Sequence, residues 1–186
     1  EEIFEPLEMK DTGFFVPVDK EGRFAVNYEM VDGNLVPFTK SHLGEYYKPD
    51  VAFESGGAGL VSTIEDYSHF AQMLVNGGIY KGVRILGRKT VDFMAQNHLN
   101  PERMESMQWD STLGYGYGCL MRVMINKGDA GSNGSIGEYG WDGWTGNYMT
   151  VNPEEDLVIL YFIQRCGTCF SDTVRKIRSV IYGSLE

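Results

Sequence analysis

The sequence lacks long apolar runs and is poor in basic residues. No run approaches the roughly 20 consecutive apolar residues that a membrane-spanning helix needs. The chain carries 16 basic and 26 acidic residues, a formal net charge of −10, and this charge repels phosphate backbones and anionic membrane surfaces. We therefore expect no nucleic-acid partner and no membrane span.

Cysteine and histidine are also scarce. The three cysteines, an odd number, do not make a disulfide framework, so they leave the cellular compartment open. His42, His69 and His98 are scattered without the spacing of metal ligands, and surface or helix positions explain them better. We expect neither a metal site nor a cofactor.

Length and composition favour one folding unit. At 186 residues, 42% hydrophobic and 23% charged, the chain suits a single domain with a hydrophobic core better than two domains. It has no initiator Met and no basic segment followed by an apolar run. We expect that either a leader was removed or the chain starts inside a longer protein.

One helix is clearly indicated in the first half. Ser62-Thr63-Ile64-Glu65 forms a capping box with Ser62 as N-cap, and apolar residues then recur on one helical face until Asn76-Gly77-Gly78 ends the pattern. A second helix is predicted from Arg88 to about Gln96. Residues 1–9 resemble the end of a helix. Residues 10–49, rich in Gly, Pro, Asp and Tyr, predict extended loops and short strands.

The second half predicts consecutive antiparallel strands followed by a covering helix. Alternating or continuous apolar residues indicate the strands, and Gly, Asn and Pro indicate the turns. The predicted segments are a polar loop at 100–110, a strand at 115–125, a hairpin loop at 129–134, strands at 139–141, 148–151 and 157–163, a turn at 152–155, and an amphipathic helix at 171–182. The predicted fold class is α/β (α+β), an antiparallel sheet of at least three strands with flanking helices.

Three stretches, in this order, resemble the serine β-lactamase and penicillin-binding-protein superfamily, especially its class C and carboxylesterase-like branches. They are Ile3-Phe4-Glu5-Pro6-Leu7-Glu8-Met9-Lys10-Asp11-Thr12, the loop and helix start at 56–66, and Gly140-Trp141-Asp142-Gly143-Trp144-Thr145-Gly146 followed by 151–159. The resemblance implies that residues 1–186 are a single C-terminal portion of such a domain. Its N-terminal strands and nucleophile helix would then lie in another segment.

The family's chemistry also requires groups that this chain lacks. The resemblance implies a Ser nucleophile with Lys three residues later, and a Tyr or another base that completes proton transfer. No serine here has Lys at that position, and neither Tyr-x-Asn nor Ser-x-Asn occurs. We expect a parent enzyme that forms a serine acyl-enzyme, an inactive isolated chain, and an incomplete sheet that self-associates or binds a partner segment.

The resemblance also implies which residues form the site. The family's Lys-Thr-Gly motif falls on Trp141-Asp142-Gly143. By this resemblance the backbone N–H of Trp144 binds the oxyanion, and Gly143 lets the strand approach the acyl group. Trp141 forms a cleft wall or donates a hydrogen bond through its indole N–H. Because Trp141 replaces Lys, no cation is available there for a β-lactam carboxylate. Among β-lactams, D-amino-acid peptides and small esters, this favours peptides and esters as substrates.

Four more residues are candidate substrate contacts. Gly57 and Ala58 lie in the stretch where the family's loop faces substrate. Asp142 would contact substrate or face solvent. Tyr117 could line a pocket, although alternating Gly and Tyr is more often strand packing.

Two other function classes remain open. An apolar strand, Cys166-Gly167-Thr168-Cys169 and a helix follow one another, as in thioredoxin-like redox proteins, although few residues follow for the rest of such a domain. A non-catalytic binding module that keeps the fold without the chemistry is the third class. Taken alone, the Trp-x-Gly-Trp run also fits a hairpin with aromatic core anchors.

Overall fold

A five-stranded antiparallel sheet forms the centre of the computed structural model, which describes residues 1–39, 47, 53–107, 112–169 and 171–186. The strand order follows the sequence, β5-β6-β7-β8-β9. Its strands are β5 (Tyr115–Gly118), β6 (Met121–Met124), β7 (Tyr139–Asp142), β8 (Tyr148–Asn152) and β9 (Leu157–Tyr161). Two small hairpins precede it, β1 (Tyr28–Val31) with β2 (Asn34–Pro37), and β3 (Ile79–Tyr80) with β4 (Val83–Arg84). The predicted antiparallel sheet is confirmed.

Helices lie before, within and after the sheet. They are α1 (Ile64–Val75), α2 (Arg88–Met94), α3 (Pro101–Glu105), α4 (Lys127–Ala130) and α5 (Asp172–Tyr182), with a 3₁₀ helix at Val18–Arg23. No helix in the described part of the chain is long and apolar enough to cross a membrane.

The two faces of the sheet are covered by different elements. Adjacent residues on a strand point to opposite faces, so Tyr148 and Met149 separate the two sides of β8. Met149 belongs to the main core with residues of α1, whereas Tyr148 packs with Val174 of α5. The C-terminal helix therefore covers one face and α1 flanks the other, as the sequence indicated.

A buried polar network joins α5 to the sheet. Arg178 forms an ion pair with Glu138, and their side chains are 2% and 1% exposed. The guanidinium of Arg178 also donates to the Tyr115 hydroxyl at 3.0 Å. The Tyr182 hydroxyl donates to Glu138 and accepts a bond of 3.2 Å from Asn152. Because so few orientations satisfy these groups together, the network specifies how α5 docks.

The first helix begins one residue later than predicted. Thr63, not Ser62, is the N-cap of α1, and its hydroxyl accepts from the backbone N–H of Asp66 at 3.1 Å. The hydroxyl of Ser62 is instead hydrogen-bonded to that of Thr12 at 2.7 Å. The carboxylate of Asp66 accepts from the amide of Asp11 at 2.7 Å, which ties the N-terminal segment to α1.

The single strand predicted at 115–125 was wrong, because the segment is a hairpin. β5 and β6 are joined at Cys119 and Leu120, whose φ angles are 22° and 66°. These residues adopt left-handed conformations that usually favour glycine or asparagine. Because neither Cys119 nor Leu120 is typical of such a turn, the sequence pattern did not predict the hairpin here.

Other boundaries also differ from the predictions. Residues 1–9 form turns, not the end of a helix. Part of the loop predicted at 100–110 is α3, capped by the Asn100 side chain, and residues 108–110 lie outside the described residues. The loop predicted at 129–134 begins inside α4, which ends at Ala130 and has Gly131, with a φ of 56°, as its C-cap. The strand predicted at 157–163 ends at Tyr161 and is half-buried.

Candidate active site

The candidate site is the tight turn that follows β7. The amide of Gly143 donates to the carbonyl of Asn147 at 2.7 Å, and the amide of Gly146 donates to the carbonyl of Gly143 at 2.9 Å. Gly146 has a φ of 91°, a conformation that glycine adopts without strain. The turn therefore reverses the chain tightly into β8.

The segment after β9 donates hydrogen bonds to this turn. The amide of Gly167 donates to the carbonyl of Trp144, and the amide of Arg165 donates to the carbonyl of Thr145, both at 2.8 Å. The amide of Ile163 donates to the side-chain oxygen of Asn147 at 3.1 Å. These three hydrogen bonds attach the turn to the segment that follows β9.

The amide of Trp144 remains available on this turn. Within the described ranges it donates no hydrogen bond to the chain. Trp144 is 49% exposed, and its ring meets Phe38 edge-on at 5.3 Å between ring centroids. Trp144 therefore lies partly exposed at the surface of the described chain, and its amide has no acceptor among the described residues.

Two aromatic side chains, Trp141 of β7 and Tyr117 of β5, contact each other on the strands before the turn. Trp141 is 37% exposed, and its ring contacts that of Tyr117 edge-on at 5.3 Å. The amide of Tyr117 donates to the side-chain oxygen of Asn97 at 3.1 Å, which fixes this part of β5. The structure thus brings two of the predicted site residues together.

The burial of Asp142 excludes one of its two predicted alternatives, a carboxylate that faces solvent, and leaves the substrate contact a prediction. Its side chain is 6% exposed and forms an ion pair with Arg122 of β6, whose side chain is 3% exposed. A substrate contact through this carboxylate would require that ion pair to open. Asp142 lies one residue before Gly143, so its ion pair with Arg122 attaches the start of the turn to β6.

Gly57 and Ala58 lie on an exposed loop before α1. The carbonyl of Ala58 accepts from the hydroxyl of Tyr47 at 2.9 Å, and the amide of Gly59 closes a turn onto the carbonyl of Ser55 at 2.8 Å. Among the residues that the structure covers, no hydrogen bond joins this loop to the turn at Gly143. A role for the loop in binding substrate stays a prediction.

The fold class is the one that the sequence indicated, and a family comparison decides the assignment. A model of the β-lactamase family matches residues 1–180. The chain belongs to the β-lactamase family. An uncharacterized protein of Mycobacterium tuberculosis is 30% identical over 171 residues, which cover 89% of this chain and 42% of the relative.

Solved structures show the same fold. EstCE1, described as a hydrolase with promiscuous acyltransferase activity, has a TM-score of 0.79 at 19% identity, over 97% of this chain and 49% of its own. Simvastatin synthase (LovD) from Aspergillus terreus has a TM-score of 0.76 at 19% identity, over 100% and 49%. A penicillin-binding protein homologue from Caulobacter crescentus has a TM-score of 0.65 at 16% identity, over 100% and 51%. The chain spans about half the length of each of these β-lactamase-fold proteins.

The cysteines behave differently from those of a redox motif. The thiol of Cys169 donates to the carbonyl of Gly143 at 3.4 Å. Burial, and then the charge of Asp142, raise the pKa of Cys169, and burial followed by the charge of Glu29 raises that of Cys166. Reactive dithiol motifs have lowered thiol pKa values, so the redox hypothesis gains no support in this β-lactamase-family chain.

The histidines contact the backbone. His69 bonds the carbonyl of Leu7 at 2.8 Å, and His98 bonds that of Phe93 at 2.7 Å. His42 lies outside the described residues. The described part of the chain contains no group of three or more metal-ligating side chains.

Sequence reasoning missed the structural roles of two residues near the site. Arg122 was detectable as a lone charge in the apolar strand Met121–Met124, but nothing in the sequence named Asp142 as its partner. Gly140 is required for packing, because a Cβ there would overlap the carbonyl of Met149. By contrast, a Cβ at Gly143 would come no closer than 4.0 Å to Asn147, so the fold itself does not require that glycine.

Proposed function

We propose that this chain supplies the oxyanion-binding strand and one cleft wall of a serine hydrolase that works through an acyl-enzyme. One observation carries the proposal: within the described ranges, the Trp144 amide donates to no acceptor, and it belongs to a partly exposed residue on a hydrogen-bonded turn. A preorganised donor of this kind stabilises the negative charge that develops on a carbonyl oxygen. Loss of one such donor typically costs about 3–4 kcal/mol in the transition state.

Each residue of the turn has a separate role in this proposal. The Trp144 amide donates to the oxyanion. Gly143 leaves room for the acyl group, which is consistent with the open space around its backbone. Trp141, with Tyr117 against its ring, forms an apolar wall for the substrate.

The nucleophile and its base belong to another segment in this proposal. The chain contains no Ser-x-x-Lys and no Tyr-x-Asn, and it spans about half of the solved structures that it matches. The upstream half of the family domain would supply both motifs. It would also supply strands that complete the sheet beyond β9.

We propose neutral esters or peptides as substrates in preference to β-lactams. An apolar ring, Trp141, occupies the position of the family's lysine. The nearby cation, Arg122, is buried and paired with Asp142, so its charge is compensated inside the protein. The description of EstCE1 as a hydrolase with promiscuous acyltransferase activity is consistent with acyl transfer in this proposal.

The test compares the isolated chain with a protein in which the chain is joined to the upstream half of the family domain. Fluorophosphonate and fluorescent penicillin should label the joined protein at the serine of Ser-x-x-Lys and leave the isolated chain unlabelled. Turnover of p-nitrophenyl esters should exceed that of nitrocefin. Covalent labelling of any serine of the isolated chain would contradict the proposal, and efficient nitrocefin turnover would contradict the preference for esters.

A further inference from the structure

Arg122 contacts two consecutive residues of the motif strand. Its guanidinium forms the ion pair with Asp142 and lies over the ring of Trp141 at 5.3 Å from the centroid. Both residues come directly before Gly143 and Trp144. The guanidinium of Arg122 therefore contacts both of the last two residues of β7.

Aromatic rings hold this cation in turn. The Arg122 guanidinium lies 5.7 Å from the ring centroids of Tyr115 and of Tyr148. These rings belong to β5 and β8, so strands on both sides of the motif take part. The guanidinium has little room to change its orientation without moving the sheet.

Stability alone explains this ion pair poorly. Removing two charges from water costs several kcal/mol per ion, and apolar side chains of similar volume are often as stabilising as a buried pair. The rest of β6, Met121, Val123 and Met124, is apolar and buried. The charge of Arg122 in this strand is explained if the ion pair serves to orient the backbone of its partner, Asp142.

We infer that Arg122 and Asp142 are positioning residues that keep the amide of Trp144 aimed at the oxyanion, an inference that rests on the proposed function. The Asp142 backbone is two residues from that amide, so a rotation there would move the donor away from the acyl oxygen. The ion pair between Arg122 and Asp142 would hold the Trp144 amide in one orientation before the reaction begins. Preorganisation of this kind makes a donor effective, because the site does not reorganise as charge develops.

The test uses a second buried ion pair as its matched control. Asp142→Asn breaks the pair beneath the turn, whereas Glu138→Gln breaks the pair with Arg178 beneath α5. In the joined protein, we expect Asp142→Asn to lower kcat for a p-nitrophenyl ester by about 100-fold with KM nearly unchanged. Glu138→Gln should lower the Tm but leave kcat per folded molecule within about threefold. Arg122→Lys should retain much more kcat than Arg122→Met.

A second measurement does not depend on turnover. In ¹⁵N-labelled protein, Asp142→Asn should shift the backbone amide resonance of Trp144 and the indole resonance of Trp141, and Glu138→Gln should leave both in place. If Asp142→Asn lowers kcat no more than Glu138→Gln does, the positioning role is refuted. If the wild-type joined protein hydrolyses neither esters nor peptides, the proposed function fails. An unchanged Trp144 resonance in Asp142→Asn refutes the inference separately.

Discussion

Adding one methyl group at Gly143 separates the role of the turn in the fold from its role in chemistry. A Cβ built at Gly143 comes no closer than 4.0 Å to any described atom, the nearest being the Cβ and carbonyl oxygen of Asn147. The residue does not adopt a left-handed φ, so alanine fits the backbone. At Gly140, a Cβ would overlap the carbonyl oxygen of Met149 and crowd the Cα of Thr150, so this glycine is the matched control.

The two variants should therefore have opposite effects. Gly143→Ala should leave the free energy of unfolding unchanged or raise it by about 0.4–1 kcal/mol, because alanine restricts the unfolded chain. Gly140→Ala should lower it by about 1–3 kcal/mol through overpacking against β8. In the joined protein, the new methyl at Gly143 would push the acyl group away from the Trp144 amide. The loss should approach the 3–4 kcal/mol of one oxyanion donor, about 100- to 1,000-fold in kcat/KM.

Urea unfolding measures the stabilities, and p-nitrophenyl ester hydrolysis measures kcat/KM for the folded proteins. The reasoning predicts a stable but nearly inactive Gly143→Ala protein. It also predicts a destabilised Gly140→Ala protein whose folded fraction stays active. Full ester turnover by Gly143→Ala would refute the claim that the acyl carbon sits beside this turn.

Four further predictions follow from the packing. Arg178→Met leaves the Glu138 carboxylate buried and unpaired, so urea unfolding should show a loss of about 3–5 kcal/mol; a loss below 1 kcal/mol would contradict this. Burial, and then Glu138, raise the pKa of Tyr182 above its ordinary value near 10, so its contribution to stability is complete below pH 10 and is lost as the pH rises further. Tyr182→Phe should then weaken the alkaline loss of stability, and an equally steep pH profile would exclude this cause. Asp142→Asn should lower the pKa of Cys169 and speed its alkylation by iodoacetamide, with Cys119 as internal reference; equal rates would argue against the contact. The isolated chain should self-associate through the open edge of β9, whereas a clean monomer in gel filtration would count against an unsatisfied edge.

Local sequence patterns predicted most of the architecture. The apolar face of α1, the amphipathic pattern of α5 and the strands around residues 139–151 are visible because each element repeats its own period. The hairpin turn at Cys119 and Leu120 was missed because neither residue is a usual one for a left-handed conformation. Caps shifted where tertiary contacts compete, as when Thr12 engages the hydroxyl of Ser62.

The candidate site was only partly visible in the sequence. The run from Trp141 to Trp144 located the candidate turn through its resemblance to the family's motif, because the run alone also fits an ordinary hairpin with aromatic core anchors. The burial of Asp142 could not be predicted, because its partner Arg122 lies in another strand and pairing across strands leaves no local pattern. The distance from Ala58 to the turn likewise depends on how α1 packs on the sheet.

The central claim is that the Trp144 amide binds the oxyanion, and one NMR measurement tests it most directly. The joined protein is labelled with ¹⁵N in the present chain and is then inactivated with a phosphonate whose P–O group mimics the tetrahedral intermediate. The account predicts a large downfield shift of the Trp144 amide proton, while the Gly146 amide, already bonded to the carbonyl of Gly143, stays in place. A Trp144 resonance that does not move on complete phosphonylation would contradict the account.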